Sequence, residues 1–195
     1  MRYSRIVALT VASLAAAVPP ATADGFITPY LGYNFGGDSA NCQALTDCQE
    51  KHLNFGVSLM SATGAFGFEE EIGYAKNFFA SVPGADNNVF TAMSNVMGGV
   101  FAGPIQPYLL AGVGLIRTHV SLNPLQGGDR TTNSFGYDLG GGINGFFSPG
   151  VGIRGDLRRL QTFGDVAILR VGPVNLVPSE KLSFWRASPG LTFKF

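Results

Sequence analysis

The sequence predicts an all-β fold, an eight-stranded antiparallel transmembrane up-and-down β-barrel. Three observations carry this. Apolar and polar residues alternate along segments of roughly ten residues, and a strand sends alternate side chains to opposite faces, so each segment has one oily side and one wet side. Charge is sparse, at 13% of residues against the roughly 25% usual for soluble domains, while the 27 glycines are spread along the strands instead of pooling in a linker. The connections alternate long and short, the rhythm of barrels with long loops on one side of a membrane and short turns on the other. Roughly ten tilted residues per strand span a bilayer, and eight strands close the smallest common barrel. With no water in the bilayer core, only closure satisfies every strand's backbone.

The first stretch, MRYSRIVALTVASLAAAVPPATADG, has a basic start (Arg2, Arg5), an apolar run from Ile6 to Val18 too short to span a bilayer, and Ala21-Thr22-Ala23 as a small-x-small cleavage site. It predicts a secretory signal peptide over 1–23 and a single barrel domain over 24–195. The precursor carries 13 basic and 13 acidic residues; losing Arg2 and Arg5 leaves 11 against 13, a net −2. Nucleic-acid binding, which needs a basic patch, is not indicated.

The strands follow in order. Phe26–Phe35 sends Ile27, Leu31, Tyr33 and Phe35 outward. A polar stretch, Gly36–Lys51, holds Cys42 and Cys48. His52–Ser61 sends out Leu53, Phe55, Val57 and Leu59. After the turn Ala62-Thr63-Gly64, Ala65–Tyr74 sends out Phe66, Phe68, Ile72 and Tyr74. A connection with Pro83-Gly84 leads to Asn88–Phe101. Pro107–Arg117 sends out Leu109, Ala111, Val113 and Leu115. The apolar run Val96–Ile116 is long enough for a membrane helix, but Pro104, Pro107 and five glycines break helices, so it reads as two strands around a tight turn. Thr118–Ser134 reads as a long polar loop. Phe135–Phe147 sends out Phe135, Tyr137, Leu139 and Ile143, and Gly150–Arg159 follows a Ser148-Pro149 turn. Leu160–Glu180 is the longest connection and unusually apolar for a loop, consistent with a hairpin extension above the membrane or with an exposed contact patch.

The last strand, Leu182–Phe195, has Trp185, Ala187, Pro189, Leu191, Phe193 and Phe195 on one parity, with Arg186, Ser188, Gly190, Thr192 and Lys194 on the other. A strand ending on phenylalanine resembles the C-terminal signal of bacterial outer-membrane barrels, carried here by Leu191, Phe193 and Phe195. Ile27-Thr28-Pro29-Tyr30-Leu31-Gly32 is echoed by Ile105-Gln106-Pro107-Tyr108-Leu109-Leu110, with proline near a strand start, where it is tolerated. The PYLG-type openings, the Phe-Gly-Phe-Glu third strand, the glycine-rich sixth strand and the terminal Phe resemble the OmpA-like, opacity-protein family of small outer-membrane barrels. The resemblance spans nearly the whole mature chain and implies fold and location better than activity.

The inward parity collects charge: Glu69, Glu71, Asp138 and Asp156 against Arg154, Arg158, Arg186 and Lys194. Paired carboxylates occur in glycosidases, but near-equal numbers suit a narrow, filled interior, because a buried charge is expensive unless paired. Glu69 and Glu71 are expected to pair with Arg154, Arg158 or Arg186. Glu70 falls outward between Phe68 and Ile72, which requires either a headgroup depth or a bulge. Ser188-Pro189-Gly190 reads as another local bulge. The two cysteines of an exported protein are expected to form a Cys42–Cys48 disulfide. His119 and Ser121 share a face, as in lipid A-modifying barrels, but no Glu follows them closely, and a Ser nucleophile needs a base and an orienting acid. His52 stands alone at a strand start, and Gly140-Gly141-Gly142 allows close packing. There is no HExxH, phosphate-binding loop or CxxC.

Together these readings give a monomeric structural or surface-interaction barrel in the outer membrane, without catalytic, cofactor or metal residues. Its expected partners are outer-membrane lipids, the barrel-assembly machinery through the last strand, and a surface ligand at the long loops. An outer-membrane lipid-modifying enzyme and a narrow pore are the alternatives.

Overall fold

A computed structural model of the protein describes residues 23–37, 39, 53–79, 85–122, 129–164, 170–171, 174–175 and 181–195. The strands are β1 (Asp24–Phe35), β2 (Leu53–Thr63), β3 (Phe66–Lys76), β4 (Ala85–Gly99), β5 (Ile105–Leu122), β6 (Asp129–Phe146), β7 (Val151–Thr162), two-residue strands β8 (Arg170–Val171) and β9 (Val174–Asn175), and β10 (Ser183–Lys194). The eight long strands pair antiparallel with their sequence neighbours, and β10 closes on β1. Among the described residues, β8 and β9 pair only with each other. The signal peptide, Cys42, Cys48, His52 and most of the apolar connection lie outside the described residues.

The register fixes the barrel's shape. Neighbour to neighbour, Asp24 leads to Ala62, Gly67, Met97, Leu110, Gly140, Arg158, Arg186 and then Asn34. One circuit therefore returns to β1 shifted by 34 − 24 = 10 residues. With a rise of about 3.3 Å per residue and strands about 4.8 Å apart, that shear tilts the strands by about 40°, so each residue climbs about 2.5 Å along the axis.

The outward parity is apolar. Leu31, Phe55, Ile72, Leu109, Val113, Leu139 and Ile153 are exposed, while the residues between them point into the barrel. Phe66, Phe147 and Phe195 ring the end with the short turns, and Phe35, Trp185, Tyr74 and Phe135 ring the other. The two rings stand about 25 Å apart along the axis, the height of a bilayer's apolar band. Gly64, with φ +60°, opens the two-residue turn between β2 and β3, the position where such hairpins favour glycine.

Several strands run beyond their sequence-predicted ends. β5 continues to Leu122 and β6 begins at Asp129, so most of the predicted loop Thr118–Ser134 is sheet. The segment is polar yet carries Thr118, Val120, Thr131 and Thr132, β-branched residues that suit strands, and above the membrane a ladder needs no apolar face. β4 likewise starts at Ala85. No bulge forms at Ser188-Pro189-Gly190. Tyr30 pairs with Gly190 and Tyr33 with Ala187 in one register, and β10 keeps its register with β7 through Pro189. The proline spares the ladder a shift even though it lacks a donor. Glu70 is explained by neither sequence expectation. Its strand keeps register on both sides, and it sits outward about 14 Å above the short-turn ring, near mid-bilayer. There it accepts hydrogen bonds from Ser94 Oγ at 2.9 and 2.8 Å.

Candidate functional site: a layered lumen

The interior has three layers. Nearest the short turns, Phe26, Met60, Ala62, Met97, Phe101, Tyr108 and Leu110 pack together. At the opposite end, Ala75, Phe78, Val89, Met93, Ile116, Leu160, Leu182 and Phe184 form a second apolar cluster. Phe78 comes from the β3–β4 connection and meets Phe184 edge-on at 4.7 Å. Apart from Phe78, Phe101 and Leu182, which flank strand ends, both clusters come from the inward parity of strands that read as polar inside.

Between them lies an ionic layer. Arg158 is its hub. Its Nε and Nη2 donate to the two oxygens of Asp156 at 2.6 and 2.8 Å, a bidentate fork that suits guanidinium geometry. Its Nη1 lies 2.5 Å from Glu71, 3.2 Å from Glu69 and 3.3 Å from Asp138. Arg154 pairs with Glu69 at 2.5 Å and with Asp156 at 2.9 Å, and Arg186 pairs with Glu71 at 2.5 Å. Ser58 and Asn95 donate to Glu69 at 2.7 and 3.0 Å. The seven charged side chains are all buried, Asp156 being the most exposed at 7%. Lys194, also read as inward, sits instead at the short-turn rim, about a third exposed, 2.7 Å from Asp24. The buried layer therefore holds four acids and three guanidiniums.

Sequence reasoning missed Ser58 and Asn95 and two tyrosines. Tyr30 donates to Glu71 at 2.9 Å and accepts from Arg186 at 3.2 Å. Tyr108 donates to Asp156 at 2.8 Å and accepts from Arg154 at 2.6 Å. Each phenol bridges an acid and a guanidinium. The signal was the Pro-Tyr echo of the first and fifth strands. The glycine run serves the same layer, since a Cβ on Gly140 would collide with Arg158 and one on Gly142 with the Tyr108 ring. Every lumen carboxylate is tied to a guanidinium between apolar layers, which leaves no space for a sugar. Among the described residues there is no cluster fit to hold a metal ion.

At the loop-side rim, His119 Nδ1 lies 2.8 Å from Thr131 Oγ1. The register sets Ser121 between Asp86 of β4 and Asp129 of β6, two acids that the sequence reading, which sought a nearby Glu, did not count. At the other end, Leu191, Phe193 and Phe195 all face outward, and Phe195 exchanges backbone hydrogen bonds with Gly25 at 2.9 and 3.1 Å, closing the ring.

An apolar belt with aromatic girdles around a filled, polar-centred barrel defines a small bacterial outer-membrane protein. The family model for the outer membrane protein beta-barrel domain matches residues 8–177, and the chain belongs to that family. Similar solved structures are Neisserial surface protein A, at 17% identity with a TM-score of 0.59 over 88% of this chain and 97% of that one, and the N-terminal β-barrel domain of Pseudomonas aeruginosa OprF, at 14% and 0.53 over 88% and 97%. Ail, the attachment invasion locus protein of Yersinia pestis, is similar at 11% and 0.53 over 89% and 99%. At these identities the likeness is one of fold. No curated protein sequence matches significantly.

Proposed function

We propose that this is a non-conducting structural and surface-interaction protein, anchored by its barrel and meeting partners through its outer loops. The observation that carries this is the layered lumen. An ion crossing it would have to pass both apolar clusters and break a paired ionic layer, each step costing several kcal/mol. With the interior closed to transport, the loops and the outer wall are the surfaces left for function. Reconstitution in planar bilayers tests this: the expected record shows no unitary conductance steps, and reproducible steps from folded protein would sink the proposal.

The second reading, a lipid-modifying enzyme, is favoured by Asp86 standing opposite Ser121 with His119 two residues away. Against it, the hydrogen bond that His119 Nδ1 makes goes to Thr131, not to a serine or an acid. Ester hydrolysis on radiolabelled outer-membrane lipid that disappears in Ser121→Ala would favour the enzyme; no release by the native protein would leave the first reading standing.

A further inference from the structure

The apolar belt carries two charges that the lumen does not use. On the outward parity between the two aromatic rings, the described residues hold one acid, Glu70 on β3, and one base, Arg159 on β7. By the register, Glu70 stands about 14 Å and Arg159 about 21 Å above the short-turn ring, both inside an apolar band about 25 Å tall. β3 and β7 lie four strands apart in a closed ring of eight, so the two charges sit on opposite sides of the barrel and cannot meet within one chain.

Neither is fully met by its own barrel. Among the described residues Arg159 has no ion pair or hydrogen bond, and its cross-strand neighbours are Leu139 and Trp185. Glu70 has the Ser94 hydroxyl alone, one proton shared between two oxygens. An ionisable side chain in the membrane is costly and pairs with an opposite charge where it can, and the attraction is strong where the dielectric is low.

The walls around the two charges allow close approach. Beside Glu70, Ala92, Ser94 and Gly98 face outward on β4, and a groove of about 260 Å³ below it is lined by Phe66, Phe68, Val96 and Ser61. The opposite wall presents Gly155 on β7 and Ala187 on β10, with Ile153 and Leu157 as exposed ridges. Ile153 stands at the height of the groove, about 6 Å above the short-turn ring. A Cβ on Gly98 or Gly155 would meet nothing within 4 Å, so the barrel's own packing demands glycine at neither place. Small residues let membrane-embedded walls come together.

We propose that copies of this protein associate side by side in the membrane, head to tail, with Glu70 of one barrel paired to Arg159 of the next. Charge complementarity names the occupant: every copy offers the acid on one wall and the base on the other. Their heights differ by about 7 Å, a gap that an extended arginine stem spans. Such a contact is heterologous, using a different patch on each partner. Because the two patches are diametrically opposed, it extends as rows in the bilayer plane. A twofold dimer would set Glu70 against Glu70 and leave both arginines in lipid. The barrel closes as a single chain, so association adds to the fold and is not needed for it.

The test is resonance energy transfer between donor- and acceptor-labelled barrels, tagged at the N-terminus, in phospholipid vesicles. Native barrels should transfer well above the level of random crowding at the same density. Glu70→Gln and Arg159→Gln, each alone, should associate about tenfold more weakly, and neither gives the membrane a new charge to carry. Mixing the two decides the geometry. E70Q keeps Arg159 and R159Q keeps Glu70, so donor-labelled E70Q with acceptor-labelled R159Q should recover the transfer that each lacks alone, halting at dimers. Oxidative cross-linking with Cys42 and Cys48 replaced by serine reads the faces: Ile72→Cys barrels should join Leu157→Cys barrels and not one another. Native transfer at the crowding level, single variants as strong as native, a mixture no better than the singles, or I72C joining chiefly to itself would each overturn the proposal. Should either glutamine variant fail to fold, the I72C–L157C cross-link on the native charges decides: its formation supports the head-to-tail contact and its absence overturns it.

Discussion

Replacing Arg158 with methionine should cost the barrel about 3–5 kcal/mol, the range for breaking a buried ion pair by removing one partner. The structure says why the loss sits at this end of the scale of single substitutions. Arg158 touches Asp156, Glu71, Glu69 and Asp138. Without it, Asp156 and Glu69 keep Arg154, and Glu71 keeps Arg186. Asp138 is left with no cation, fully buried. Four acids would then face two guanidiniums. Removing the stranded carboxylate as well, in D138N/R158M, should return at least about 1 kcal/mol, the coupling expected for residues in one network. Urea unfolding in phospholipid vesicles reads this out through Trp185, the single tryptophan, which faces outward in the loop-side girdle. The cold-versus-boiled shift on gels serves as an independent probe. A loss below about 1 kcal/mol for R158M, or a double variant no more stable than the single, would show that the network is not what holds the lumen together.

Three further outcomes follow from named contacts. Glu70→Leu should stabilise the barrel by about 1–2 kcal/mol, since a carboxylate on the lipid face near mid-bilayer is unfavourable by up to that order, while Ser94→Ala should destabilise it; vesicle unfolding with E70L weaker than native would point to a role for Glu70 beyond tolerance. Gly142→Ala should cost about 1–3 kcal/mol, because its Cβ meets the Tyr108 ring and displaces a phenol wedged between Arg154 and Asp156. Gly98→Ala, where nothing lies within 4 Å, should stay within about 0.5 kcal/mol in the same assay. Phe193→Ala with Phe195→Ala should lower the folded fraction in the outer membrane severalfold in cells yet leave detergent refolding near native. Equal losses in both settings would assign those rings to packing instead of recognition by the assembly machinery.

The outward half of the fold was legible in the sequence because it obeys a two-residue period under one solvent. Leu109, Val113 and Leu139 meet lipid, and lipid favours apolar side chains, Glu70 with its Ser94 partner being an exception. The inward half was half legible. Glu69, Arg154 and Asp156 announced a polar centre, but Met93, Met97, Ile116 and Phe184 share that parity and were lost among apolar neighbours. Inside a barrel, depth along the axis and not parity decides whether an inward residue meets a charge or an oily plug, and depth depends on shear, which no single strand reveals. Asp86 beside Ser121 was hidden for the same reason, the two being brought together by register across 35 positions. Strand ends at Leu122 and Asp129 were missed because sheet that rises out of the membrane loses its apolar face and looks like loop.

The ionic layer has a consequence for register that its contribution to stability does not capture. A buried ion network is often no more stable than a well-packed apolar substitute, so its benefit here lies in what it excludes. Slipping β7 by one residue would turn Arg154, Asp156 and Arg158 onto lipid. Two arginines near mid-bilayer alone cost about 2–4 kcal/mol each, enough to make that one-residue slip rare. We predict that a barrel whose buried charges are all replaced by leucine, methionine and glutamine still inserts, but with β7 in more than one register against β10. Cysteine pairs placed at Gly155 and Pro189, which face each other across those strands, and at the offsets one residue away would cross-link only in register for the native sequence and in both settings for the neutral one. A neutral barrel that cross-links in the native register alone would return the fixing of register to the turns and the outer belt.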